Sequence, residues 1–426
     1  MKKFLSIILV LTFVISIPVH TFAMSADSKM DAQERWKTNN CYEYPLTPAD
    51  PNWTNLSYLE QLEVCDMPID MLSNCTTEEL ADLVLEYPFL IDILAFDNTD
   101  LAIKHLIDTS NICKEFFSRN DVTAVLLQKY DAINVDYKKL QNTSNVTAAT
   151  DCGYISELFL QTYFAHVASD LTDIQTKDLS KIICEKHEAK IGICNDYSTS
   201  LLIYDWIQIE NGSIPKNLIP ESIEIELASK GTILPISDIE VESNQTRAAS
   251  GFTSAGYRVG TNDGVVYTVG TYTLYGVTAN CYKYYSGDYT TTEATNLNNS
   301  FDRAHSSWSR VATCTKKYNC HSYTWINSSS NNVYWLNNPD AFANSNSFTF
   351  AGHGFNTSLS SGDKIIICAA IASDDGFGNN TYSVHSANVL SSSGSTRSKL
   401  GSYGVYTIPV DELVRFYSGF YYCIYR

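Results

Sequence analysis

The hydrophobic period of this chain changes near Val265, and that change limits its fold more than any other feature. From about Pro45 to Pro220 apolar residues recur every three or four positions, whereas from Val265 onward they tend to alternate. The first pattern buries a stripe along a helix and the second buries one side of a strand. Segregated helices and strands predict an α+β chain with an antiparallel sheet rather than a repeating βαβ fold.

Local signals sharpen the helical half, assigned to residues 24–235. Thr76 followed by Glu79 is a capping box, with Leu80, Leu83, Val84 and Tyr87 behind it at helical spacing. Thr99 to Asp108 is amphipathic, and Asp121 is placed to cap a helix carrying Val122, Val125, Leu126 and Tyr130. Tyr154 to Ala168, Lys177 to Lys190 and Tyr197 to Ile209 read as further helices. His105, His166 and His187 have no partner at metal-ligand spacing, so they read as packed or solvated residues. Cys184 and His187 lie one turn apart, but two ligands do not make a site. This half is expected to be a scaffold or docking module.

Residues 236–289 read as a polar linker around Ser243 to Gly260 and a small β unit beyond the turn signal Asn262-Asp263-Gly264. Tyr282, Tyr284 and Tyr285 would line a carbohydrate or peptide surface, or else form a half-buried strand.

Composition excludes some functions. The formal charge is −18, and loss of Lys2 and Lys3 would make it −20, with basic residues scattered, which argues against nucleic acid as a partner. Lys2 and Lys3 precede an apolar run from Phe4 to Pro18, too short to cross a bilayer comfortably. This reads as an export signal over residues 1–23, cleaved after Ala23 or alternatively Ala26. The expected product is secreted, without a membrane anchor, near the cell wall. The chain has 12 cysteines, widely strewn, and their spacing reveals no pairing. Its 426 residues exceed one comfortable core, so two or three domains are expected.

Chemistry concentrates in residues 290–426. Thr290 to Arg303 reads as one helix and Tyr318 to Ile326 as another, with Asn319 as its N-cap and Cys320 in its first turn. Unpaired amides there favour the thiolate. Asn327 to Ser361 reads as a substrate-facing loop. The strand Lys364 to Ala369 should pair antiparallel with a strand carrying His385, across the loop Ala372 to Asn380. Ala387 and Val389 would share the face of His385, and Ser386 and Asn388 the other. A cysteine opening a helix, then a strand, then a histidine on the next strand is a papain-like layout, with Cys320 as nucleophile and His385 as base. His353 is a rival base. Cys314, Cys320, His321, His353 and Cys368 contain no paired Cys-x-x-Cys, and neither metal nor cofactor is expected.

These segments carry a resemblance. Asn319 to Thr324, Gly362-Asp363-Lys364-Ile365 and His385-Ser386-Ala387-Asn388-Val389 resemble the nucleophile, Gly-Asp and base-bearing segments of NlpC-type cell-wall cysteine peptidases. Tyr318 to Trp325 is also similar to the Tyr-Asn-Cys-His-Ser-Tyr-Ala-Trp signature of a group of secreted Gram-positive proteins, with Thr324 in place of Ala. Tyr334 to Pro339 and the segment from Tyr44 to Pro48 are similar as well. The resemblance implies a papain-like, NlpC-type α+β domain and thiol-dependent hydrolysis of amides, with a peptide or peptidoglycan substrate. Relatives read Ser-Lys-Trp-Gly followed by a histidine, where this chain has Ser398-Lys399-Leu400-Gly401 and then Ile408. The residue orienting His385 is therefore expected to be Ser398, or else Asn388. The competing expectation is a catalytically silent envelope or adhesive module.

Overall fold

The computed structural model describes residues 43–96, 99–136, 153–191, 234–235, 251–262, 265–286, 288–354, 356–370, 381–419 and 421–426. The export signal, the expected helix Tyr197 to Ile209, the loop Ala372 to Asn380 and Tyr285 are outside the residues, or side chains, described.

The helical half comprises α1 (Tyr58–Cys65), α2 (Ile69–Leu72), α3 (Thr77–Leu85), α4 (Thr99–Thr109), α5 (Asn111–Phe117), α6 (Val122–Ala132), α7 (Tyr154–His166) and α8 (Asp173–Ile191). The capping box at Thr76 and Glu79 forms as expected. Asp121 occupies the N-cap of α6 but makes no capping bond. Its carboxylate instead accepts from Thr77 Oγ1 at 2.8 Å, so a tertiary bond between helices replaces the local one.

Two antiparallel sheets follow, apart from one short parallel strand. The first runs β1 (Leu234–Pro235), β2 (Gly251–Asn262), β3 (Val265–Leu274), β4 (Val277–Ser286) and β6 (Tyr334–Leu336). The second has the order β5-β11-β10-β9-β8-β12-β7. Its strands are β5 (Ser309–Ala312), β7 (Phe350–His353), β8 (Lys364–Ala370), β9 (Thr381–Val389), β10 (Ser395–Lys399), β11 (Val405–Pro409) and β12 (Tyr421–Tyr425). The remaining helices are α9 (Thr291–Ala304), α10 (Cys320–Trp325), α11 (Asp340–Ala343) and α12 (Val410–Phe416). The segment expected as one loop, Asn327 to Ser361, therefore contains β6, α11 and β7. Strand β6 pairs Trp335 with Tyr282 and joins the small β unit to the final region.

The helical half and the seven-stranded sheet share one hydrophobic core. Trp53, Tyr58 and Phe89 meet Phe301, Trp308, Tyr406 and Phe416 within it. Hydrogen bonds lock the seam. Trp53 Nε1 donates to Ala304 O at 3.1 Å, Tyr403 Oη to Ile91 O at 2.7 Å and Tyr417 Oη to Ala95 O at 3.1 Å. Gly401 explains the end of the Ser398-Lys399-Leu400-Gly401 motif. Its φ is +41°, and a Cβ there would stand 2.5 Å from the Ala95 backbone, so only glycine admits the helical half this closely.

Candidate functional site

Helix α10 begins as the sequence predicts. Asn319 Oδ1 accepts from Ser322 N at 3.1 Å and from Leu336 N at 3.2 Å, while Asn319 Nδ2 donates to Leu336 O at 2.9 Å. One side chain thus caps the helix and ties it to β6. Cys320 lies in the first turn, in no disulfide and 3% exposed. Trp325 packs against Leu336 and Ile366, and Tyr318 and Tyr323 against Val405, which seats α10 on the seven-stranded sheet.

The face on which it sits is decided by Ser386. His321 Nδ1 lies 2.8 Å from Ser386 Oγ, and Trp325 Nε1 donates to the same oxygen at 3.1 Å. Lys364 Nζ donates to Thr324 O and, at 3.2 Å, to Asn388 Oδ1. Helix α10 therefore covers the side of β9 that presents Ser386 and Asn388.

His385 belongs to the other side. Its pairing opposite Ile367, with Ala387 opposite Ile365, puts all four among side chains facing α12 and the helical half. Its ring stacks on Tyr417 with centroids 3.8 Å apart, and Nε2 is hydrogen-bonded to Ser398 Oγ. Ser398 Oγ in turn donates to Ser386 O at 3.0 Å. When the hydroxyl hydrogen goes to Ser386 O, the imidazole is the donor from Nε2. The expectation that Ser398 rather than a histidine stands at this ring is met geometrically; Asn388 is occupied by Lys364 on the opposite face.

The elements that carry Cys320 and His385 lie on different sides of β9. The strand is interior to the sheet, with the helix over Ser386 on one face and the imidazole beside Tyr417 on the other. His385 lies in the middle of β9. Burial holds the His385 imidazole well below its ordinary range, and His321 and Lys399 push the same way. Burial brings His321 down to about 3. Both rings are neutral near pH 7.

The rival base, His353, stands elsewhere. Its Nδ1 lies 3.7 Å from Cys423 Sγ, and the two residues face each other across β7 and β12. His105 is packed, as expected, with Nε2 3.3 Å from Asp92 Oδ2; His305 Nε2 is 2.6 Å from Asp92 Oδ1. His166 meets Asp100 at 2.6 Å. Among the described residues no group of three or more His, Cys, Asp and Glu is arranged to hold a metal.

The aromatic surface is also relocated. Tyr282 is buried with Tyr267, Val269 and Trp335, and Tyr284 packs at its edge. On the other face of the same sheet Phe252, Tyr272 and Tyr334 are half-buried. Tyr272 and Tyr334 are edge-on at 4.8 Å, and Phe252 lies 5.9 Å from Tyr334. A Cβ on Gly270 would approach the Phe252 ring to 2.7 Å, so the glycine lets this ring lie flat on the sheet. No family model, curated protein or solved structure matches this chain.

Proposed function

We propose that this chain is a non-hydrolytic binding protein of the cell envelope, exported through its N-terminal signal, whose Phe252-Tyr272-Tyr334 platform takes glycan-bearing wall polymer. The observation that carries this reading is that the Cys320 helix sits over Ser386 while His385 stacks on Tyr417 at the opposite face of β9. The platform supplies what binding requires. Half-buried rings offer apolar faces to sugar C–H groups, and the Tyr272 and Tyr334 hydroxyls and the exposed Lys283 offer polar edges.

Sedimentation with insoluble peptidoglycan tests it, alongside release of soluble fragments. Wild type and Cys320→Ala should bind equally and release nothing, whereas Tyr272→Ala and Tyr334→Ala should each weaken binding by about tenfold, the value of one good aromatic contact. Fragment release by wild type that Cys320→Ala abolishes would overturn the proposal.

A second reading, a thiol-dependent amide hydrolase using Cys320, His385 and Ser398, is favoured by the His385–Ser398 hydrogen bond, which supplies an oriented imidazole. It requires β9 to present His385 toward α10. The same release assay decides between the two.

A further inference from the structure

We propose that Cys423 and Cys368 form a dithiol site that reduces disulfides, with Cys423 as the attacking sulfur, His353 as its proton acceptor and Cys368 as the resolving thiol. The register brings the three together. In β12 and β8, Cys423 pairs with Ile366 and Tyr421 with Cys368, so the cysteines are diagonal neighbours on one face. Across the other edge Cys423 is directly opposite His353, with Sγ to Nδ1 at 3.7 Å. Cys423 and His353 are half-buried and open to a reagent, while Cys368 is buried.

The electrostatics agree. The neighbouring Cys368 thiol is the largest influence lowering Cys423, to about 7; the His353 imidazole also lowers it, and burial opposes. The Cys423 neighbour and burial push Cys368 upward, which keeps it a thiol. The other titratable groups facing the pair are Tyr421, Tyr425 and the exposed Asp340, whose carboxylate opposes thiolate formation. Burial instead raises the Cys113 and Cys314 thiols to about 12.

The reaction closes without a missing reactant. The Cys423 proton passes to His353 Nδ1, and the thiolate attacks one sulfur of an external disulfide. A mixed disulfide forms on Cys423 and one external thiolate leaves. Cys368 then attacks Cys423 sulfur, its proton leaving to water, and expels the second external thiolate. Two electrons pass to the external disulfide, and a Cys368–Cys423 bond remains.

The test uses the full mature chain, reduced and freed of reductant, then treated with glutathione disulfide and mapped by mass spectrometry. Wild type should yield a peptide linked through Cys368 and Cys423 before any other cysteine reacts. Cys368→Ser should accumulate glutathione on Cys423. His353→Gln should slow that labelling on the order of tenfold at pH 7 and recover near pH 9, where the thiolate forms unaided. Because Cys368→Ser retains labelling at Cys423, a fold defect is distinguished from a missing resolving thiol. Earlier modification of another cysteine, or no glutathione on Cys423 in Cys368→Ser, would overturn the proposal.

Discussion

The two faces of the seven-stranded sheet are built from the same strands yet treat their polar groups differently. On the face toward the helical half, His385, Ser398 and the Asp92–His305–His105 cluster lie in the main core, all nearly inaccessible. On the face toward α10 and the five-stranded sheet, polar groups grade from buried His321 and Ser386 to half-buried Cys423 and His353. A covered imidazole that is held neutral stabilises a core, whereas chemistry requires access as well as geometry. The histidine most conspicuous in the sequence lies on the closed face, and the thiol–imidazole contact lies on the open one.

The largest test of the contrast is at Asp92. Burial would raise its carboxyl, but the His305 charge and hydrogen bonds from both imidazoles outweigh that and hold it below its ordinary range. Asp92→Ala leaves two buried rings without their acceptor and should cost about 3–5 kcal/mol in urea unfolding. A loss under about 1 kcal/mol would mean that the seam is not the rigid face described.

Acid should act on both faces, in the same direction. His321 and His385 have depressed folded values, so below the unfolded value of 6.5 the unfolded chain binds protons that the folded chain refuses. Stability is complete above that pH and falls below it. From pH 7 to 5 His321 alone accounts for about 2 kcal/mol, and His321→Gln should flatten the slope accordingly. Asp92, also depressed, contributes above its ordinary 3.8 and loses that contribution only as pH drops further. A flat profile between pH 7 and 5 would contradict neutral buried imidazoles.

Ser398→Ala probes the closed face more gently. It removes the partner of His385 Nε2 and should destabilise by about 1–3 kcal/mol without changing the rate of alkylation at Cys423. A faster or slower Cys423 would reveal coupling between the faces. At the small end, Lys104→Ala breaks an exposed pair with Asp108 and should change stability by about 0.5 kcal/mol or less, setting the noise level for the other variants.

Much of the local structure was legible. The capping box at Thr76, the helix starting at Thr290, the Asn319 cap and the pairing of β8 with β9 follow from residue types a few positions apart, because backbone amides near helix ends select those side chains. The alternation of His385 with Ser386 was legible too, and so was Ser398 at the imidazole. The face of β9 chosen by α10 was not. Strand alternation offers a helix two surfaces, and the choice rests on Trp325, His321 and Lys364 meeting Ser386, Thr324 and Asn388 across intervals of 24 to 65 residues. Cys423 and His353 are separated by 70 residues and carry no local pattern at all.

The sequence by itself determined that helices give way to strands, where the capped helices begin, and which side chains share a strand face, since these depend on dihedral preference and on periods of 3.6 and 2; its segment from Gly251 to Gly260 reads as linker, where β2 lies. Only the tertiary structure decided which face each element covers, that the helical half shares the core of the sheet, and which cysteine has an imidazole beside it. Those outcomes depend on strand order and on burial summed over distant segments, and a chain's local spacing contains no term for either.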